Sequence, residues 1–320
     1  MGRGPLRGPA GGAVSVRELV VLGTASQVPT RHRNHNGYLL LWDGEGILFD
    51  PGEGTQRQML YAGVRATQVT RICITHFHGD HVLGFPGIVQ RISLDQVPHE
   101  VQVHFPASGR TWFDRLRSAS IFRDQAKVVP RPMDTPGLQD GADPRLFAQP
   151  LEHTVDSWGY RVEEHDRIAL DPVRLDEAGI RGPAIGELQE TGHLVVGGRR
   201  ITIEEMGDRL PGASFAFVMD TRPCAAALEL ARGVDLLVAE ATYLGAEQDE
   251  ARERGHMTAR DAAELAQAAG AKQLLLTHFS QRYPSVDPFL DEAVAIFPAV
   301  RAAIDLERIP VPRTHRPASH

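Results

Sequence analysis

Apolar runs rich in Val, Ile and Leu recur along the chain as ELVVLGTAS, GYLLLWDGEGILFDPGEG, TRICITHF, EVQVHF, SFAFVMDT, VDLLVAEATY and KQLLLTHF. Several are nearly continuous in apolar character, which predicts strands covered on both faces. The second run breaks at WDGEG and predicts a hairpin. Between the runs, TQRQMLYAGV, TRPCAAALELARG and TARDAAELAQAAGAK carry helical spacing. The last opens on Thr258 with Asp261 three residues on, close to a capping box. Hairpins crowd the early part of the chain, so the pattern reads as layered α/β without strict βαβ alternation. No repeat recurs at a period of about 20 to 50 residues.

One segment departs from this pattern. Residues 163–198, EEHDRIALDPVRLDEAGIRGPAIGELQETGHLVVGG, are punctuated by Gly and Pro and hold a single amphipathic stretch. They predict an excursion from the core. Residues 1–14 and 311–320 are rich in Gly, Pro and Arg or in Pro and polar residues, and predict disordered tails around one domain at 15–310. His315 and His320 fall in the second tail and are set aside as solvated.

At 320 residues, 42% hydrophobic and 23% charged, the chain has the composition of an ordinary soluble globular protein. No apolar run approaches the roughly 18 residues of a membrane span, and the start MGRGPLRGPAGGAVSV lacks a signal-peptide core. The expected compartment is the cytoplasm, with no membrane partner. Cys73 and Cys224 form no CxxC pair and read as buried thiols in a reducing environment. A net charge of −7 weighs against a wide nucleic-acid-binding face.

The densest chemistry lies in THFHGDHVLGFPG, residues 75–87, where His76, His78, Asp80 and His81 follow a buried strand. The carboxyl ends of strands present side chains to a crevice, and imidazole with carboxylate suits zinc. For these side chains to face one point the chain must fold around it; Gly79 permits that fold, and Gly84 and Gly87 suit a close approach. Four ligands do not complete two metal sites. Three more donors follow apolar runs elsewhere: His153 in AQPLEHTVDSWGYR, Asp220 in FAFVMDTRP and His278 in LLLTHFSQRY.

With these seven positions the sequence resembles the metallo-β-lactamase superfamily and, more narrowly, the ribonuclease Z family of tRNA 3′-processing endonucleases, over nearly all of residues 17–310. The resemblance implies a four-layer αββα sandwich. It further implies two Zn2+ per subunit, with Mn2+ or Fe2+ also suited to the donors. His76, His78 and His153 would hold one ion, Asp80, His81 and His278 the other, and Asp220 would bridge. GTASQVPTRHRN resembles a family loop in which Pro29, Arg31, Arg33 and Asn34 would bind substrate, arginine forks being suited to phosphate. DPGEGTQRQM resembles a second signature, in which Asp50 would orient a metal-bound histidine. AEATY resembles a segment that commonly reads His-Glu-Ala-Thr; Ala239 replaces the histidine and Glu240 is retained. His256, in GHMTARDAAELA, matches a later family histidine that a carboxylate can equip to protonate a leaving oxygen.

The implied activity is removal of the 3′ trailer from precursor tRNA by metal-generated hydroxide, with Asp80, Glu240 and His256 as catalytic residues and a 3′-hydroxyl left on the tRNA. Family members work as homodimers, and a homodimer is expected here. Bacterial members carry a tRNA-clamping arm where residues 163–198 stand. Residues 161–196 nevertheless hold four arginines against eight acids, a net charge of −4. A metal-dependent phosphodiesterase or arylsulfatase of the same fold gains from the acidic charge and loses by the PTRHRN loop. A non-catalytic RNA-binding module ranks last, because structural zinc sites are closed and mononuclear.

Overall fold

The computed structural model describes residues 17–312. The predicted tail at 1–14 and residues 313–320, with His315 and His320, lie outside the described residues. Val311, expected in the second tail, is buried, and its N–H donates to Arg17 O at 2.9 Å, so the folded chain runs past 310.

Two seven-stranded sheets face each other. In spatial order the first contains Arg308–Pro310, Arg17–Gly23, Gly37–Trp42, Glu45–Phe49, Arg71–Cys73, Val101–Pro106 and Val128–Met133. The second contains Val300–Ala302, Leu274–Thr277, Leu236–Glu240, Ser214–Val218, Ser157–Glu163, Arg145–Leu151 and Gly137–Asp140. Alternation along each strand explains the continuous apolar runs. Leu19 and Val21 enter the layer between the sheets, while Val20 and Leu22 face helices on the outside. Phe49 stacks on Phe217 across the central layer with centroids 4.6 Å apart. Burial of each such side chain contributes about 1.5–3 kcal/mol. On the second sheet, Ala216, Val218, Leu237, Ala239 and Leu276 pack against helices Ala225–Ala231, Ala259–Ala269 and Asp287–Val294. The result is the expected four-layer αββα sandwich.

The local signals act as their chemistry predicts. The hairpin turns at Asp43 and Gly44, with φ of 50° and 108°. The capping box forms: Asp261 N donates to Thr258 Oγ1 at 3.1 Å, and Thr258 N to Asp261 Oδ2 at 2.9 Å.

The excursion differs from its prediction. It contains two helices, Pro172–Glu177 and Pro183–Thr191, and two small sheets pairing Arg167–Leu170 with Gly207–Leu210 and His193–Val196 with Arg199–Thr202. It therefore extends past 198 to Leu210. Leu175, Ile180, Leu188, Leu194, Ile201 and Met206 form its own small core. Each element contributes only one or two of these residues, so no periodic apolar stretch announces them.

Candidate metal centre

In each sheet four neighbouring strands run parallel, Glu45–Phe49 through Val128–Met133 in the first and Ser214–Val218 through Val300–Ala302 in the second. Their carboxyl ends carry Asp50, His76, Asp220, Glu240 and His278. Three of these leave their strands with left-handed backbone, Asp50 at φ 43°, Asp220 at 31° and His278 at 62°. Such conformations cost non-glycine residues about 1 kcal/mol or more and concentrate at functional sites. The close backbone approach falls at Gly84 and Gly52, not at Gly79 or Gly87. A Cβ on Gly84 would lie 2.0 Å from Gly52 O, and one on Gly52 2.1 Å from Asp80 O. The DPGEG turn is thereby laid directly under the loop that carries the histidines.

Hydrogen bonding on the outer side of the cluster determines which ring atoms are left for a ligand. Thr75 Oγ1 donates to Asp50 Oδ2 at 2.8 Å and so accepts from His76 Nδ1 at 3.0 Å. Asp50 Oδ2 also accepts from His81 Nδ1 at 2.9 Å. Thr242 Oγ1 donates to Glu240 Oε2 at 2.6 Å and accepts from His278 Nδ1 at 2.7 Å. His153 Nδ1 donates to Gly255 O at 2.7 Å. Protonating Nδ1 in this way leaves an Nε2 lone pair on each of the four rings. These atoms surround Asp220. Oδ2 lies 3.7 Å from both His76 Nε2 and His153 Nε2, while Oδ1 lies 3.5 Å from His81 Nε2 and 3.3 Å from His278 Nε2.

The donor set fits a metal. His76, His78, His153 and Asp220 group together, as do Asp80, His81 and His278, each group offering ligand atoms within 4.8 Å of one another. His76 Nε2 and His78 Nδ1 are 2.9 Å apart, close enough for one ion to contact both. Asp220 Oδ1 and His278 Nε2 are buried without any hydrogen-bond partner. Burial holds His76, His78 and His153 below the usual imidazole pKa, keeping them neutral as ligands must be. At His81 burial also opposes charge, but the carboxylates of Asp220, Asp80 and Asp50 outweigh it and raise the pKa. Although burial alone would raise the Asp80 pKa, His81 and His278 hold that carboxyl far below the usual range.

Beside the cluster, His256 Nδ1 lies 3.1 Å from both oxygens of Glu240. Burial would lower its pKa; Glu240 and then Asp220 reverse this and push it up to about 9. Ala239 points the other way, into the apolar layer under the helices, so the unusual residue in AEATY makes no contact with the site.

The PTRHRN loop divides. Pro29 and Arg31 are exposed, whereas Arg33 donates to Tyr283 O at 2.6 Å and Ser280 O at 3.3 Å. Asn34 Nδ2 donates to Glu53 O at 2.8 Å and His35 O at 3.1 Å. These two side chains tie loops together, in addition to the substrate contact expected of them. Sequence reading missed Thr75 and Thr242, which set the tautomers of three histidines, and Asn36, held by Tyr38 and 3.4 Å from His81 Nε2. For Thr75 and Thr242 the available signal was their position one or two residues from a proposed ligand or acid; Asn36 had none.

A family model for the metallo-beta-lactamase superfamily matches residues 30–200, and one for a beta-lactamase superfamily domain matches residues 192–279. A ribonuclease Z from Nocardia farcinica is 56% identical over 302 residues, covering 93% of this chain and 99% of the relative. The chain belongs to the ribonuclease Z family. Another ribonuclease Z, from Chlamydia trachomatis, is 45% identical over 291 residues, covering 91% of this chain and 96% of that one. Among solved structures similar to this ribonuclease Z family member, the short form of human tRNase Z superposes with a TM-score of 0.61 at 25% identity, covering 92% of this chain and 99% of that one. A metallo-beta-lactamase fold protein from Bacillus subtilis gives a TM-score of 0.66 at 18% identity, covering 92% and 98%, a likeness of fold.

Proposed function

We infer that this member of the ribonuclease Z family is a metal-dependent endoribonuclease that removes the 3′ trailer from precursor tRNA. The observation that carries the reading is full-length similarity to ribonuclease Z in a chain whose Asp220 faces a separate set of nitrogen donors with each oxygen. That division supports two ions, most simply zinc, with His76, His78 and His153 on one, Asp80, His81 and His278 on the other, and Asp220 between them. When bound, the pair supplies Lewis acidity at the scissile phosphate and acidifies water toward a pKa of about 7.

The chain's own groups do the remaining work. Asp80, held ionised, accepts a hydrogen from the attacking water and orients it. Glu240 and Thr242 occupy His256 Nδ1, so Nε2 is the ring atom left to deliver a proton to the departing 3′-oxygen of the tRNA. Asp50 orients His81 and, through Thr75, His76. Arg31 is the loop arginine left free to meet phosphate. The enzyme is read as cytoplasmic and homodimeric, in keeping with its family resemblance and with a substrate found among cytoplasmic RNAs. No helix among the described residues is long and apolar enough to cross a membrane.

The test is to incubate the zinc-loaded protein with a 3′-extended precursor tRNA, with and without chelator, and to map the cut. A single chelator-sensitive cut near the discriminator base is expected. Intact RNA beside brisk hydrolysis of a small phosphodiester would move the assignment to a phosphodiesterase. In the same assay His256→Ala should lower turnover by about 100-fold or more while retaining metal.

A further inference from the structure

The chain has three tryptophans, and two of them are core residues. Trp42 is 1% exposed with Nε1 donating to Glu164 Oε1, and Trp158 is 4% exposed with Nε1 donating to Asp156 Oδ1, both at 3.0 Å. Trp112 is 54% exposed, and its Nε1 has no hydrogen-bond partner among the described residues. It stands on helix Arg110–Arg117, which anchors itself to the core through Phe113, the helix's one buried residue. Phe113 stacks on Phe105 at 4.6 Å, so packing makes no demand for a tryptophan at 112. An indole left in water has an apolar face available to a ligand.

The charges around the ring have a definite pattern. Arg110 pairs with Asp114, and Arg117 with Asp124. Arg115 has no carboxylate partner among the described residues; its guanidinium lies over the Trp112 ring, 4.8 Å from the centroid. A flat ring backed by an unpaired guanidinium suits a planar, anionic ligand, and a nucleotide of a single strand combines both properties.

The place is as informative as the chemistry. The helix follows strand Val101–Pro106, parallel to the strand that delivers His76, so both leave the sheet at the same edge. A Cβ on Gly109, just before the helix, would lie 2.0 Å from the ring of Phe77, the residue between His76 and His78. Ser108 Oγ donates to Asp156 Oδ2 at 2.5 Å, three residues past His153. Trp112 is thus tied to two ligand-bearing loops, about 4.5 Å along the helix axis from Gly109. His256 comes from the opposite, second-sheet side, where it packs on His153 and His278. As proton donor to the tRNA's 3′-oxygen it marks the tRNA side of the cut. The trailer, which retains the phosphate, leaves toward the first sheet.

We propose that Trp112, with Arg115 laid over its ring, is a stacking platform for an unpaired base of the 3′ trailer just downstream of the cut. This rests on the trailer-removal reading and adds a positioning residue to it. The experiment compares two precursors on the full-length, zinc-loaded enzyme: one with a short unpaired trailer, and one whose trailer nucleotides are abasic. Wild type should show a lower KM for the base-bearing trailer. Trp112→Ala should raise that KM by about tenfold, within the range for losing one base–aromatic stack, with kcat retained and the preference between the two precursors erased. Trp112→Phe should restore most of it. An unchanged KM in Trp112→Ala, or an equal rise on both precursors, would overturn the platform while leaving trailer removal intact. If wild type cuts neither precursor, the trailer-removal reading fails, and the platform falls with it.

Discussion

Residues 75–81 and residues 29–34 both stand at the strand ends of the first sheet, and both are dense in side chains suited to a metal or a phosphate. They behave differently. In the first loop the backbone and the outer ring atoms are satisfied by neighbours, chiefly Thr75 and Asp50, and the ring tips of His76 and His81 converge on Asp220, 3.7 and 3.5 Å away. In the second, carbonyls of other loops take the donors themselves: Ser280 and Tyr283 accept from Arg33, and Glu53 accepts from Asn34. Residue type makes both loops candidates. What separates them is how many of the functional atoms the fold already uses, because leaving a buried carbonyl without its partner costs about 1–3 kcal/mol.

Removing a donor from the first loop gives the largest effect. His76→Ala should release metal, measured by elemental analysis of the purified protein, and lower cleavage by more than about 100-fold, since even residues behind the ligands are worth 10- to 100-fold. Full metal retention would remove His76 from the ligand set.

The next prediction carries the contrast between consumed and free atoms to His256, whose Nδ1 is occupied and whose other nitrogen is not. In metal-free protein its ring should titrate at about 9 by NMR. Glu240→Gln should bring that value down, because burial then acts with less opposition. Since the folded pKa lies above the ordinary 6.5, the interaction stabilises the metal-free fold fully below about pH 6.5 and is lost as pH rises through about 9. A ring titrating below 6.5 in the wild type would break the proposed pairing.

Arg33→Ala should cost about 1–3 kcal/mol in denaturant unfolding, through the carbonyls it strands, with no change in the salt dependence of RNA binding. Unchanged stability with a shallower salt slope would return Arg33 to the substrate. Arg31→Ala should show the smallest effect and the reverse pattern: stability within about 0.5 kcal/mol, and a salt slope shallower by about one.

The sandwich was legible because both faces of its strands are buried, and burial writes itself as continuous apolar runs. The seven donors were legible because each follows such a run. The excursion was not: its core draws single residues from four short elements and two turns, so the cluster Leu175, Ile180, Leu188, Leu194, Ile201 and Met206 shows no local periodicity. The acidic balance of that segment is plain in the sequence, but its folded, self-contained character is not.

By itself the sequence determined the layers, the hairpin, the cap at Thr258 and the identity of the metal-competent side chains, since these depend on local periodicity and residue chemistry. Only the tertiary structure decided which nitrogen is free on His76, His81, His153 and His278, that Arg33 and Asn34 hold loops together, that Ala239 faces away from the cluster, and that Trp112 stands in solvent beside the histidine-bearing loops. Each of these is a question of which distant carbonyl, hydroxyl or ring occupies a given atom. Partners such as Gly255 for His153 or Thr242 for His278 are far apart in sequence or on separate strands, and come within hydrogen-bond range only when the strands of the second sheet assemble.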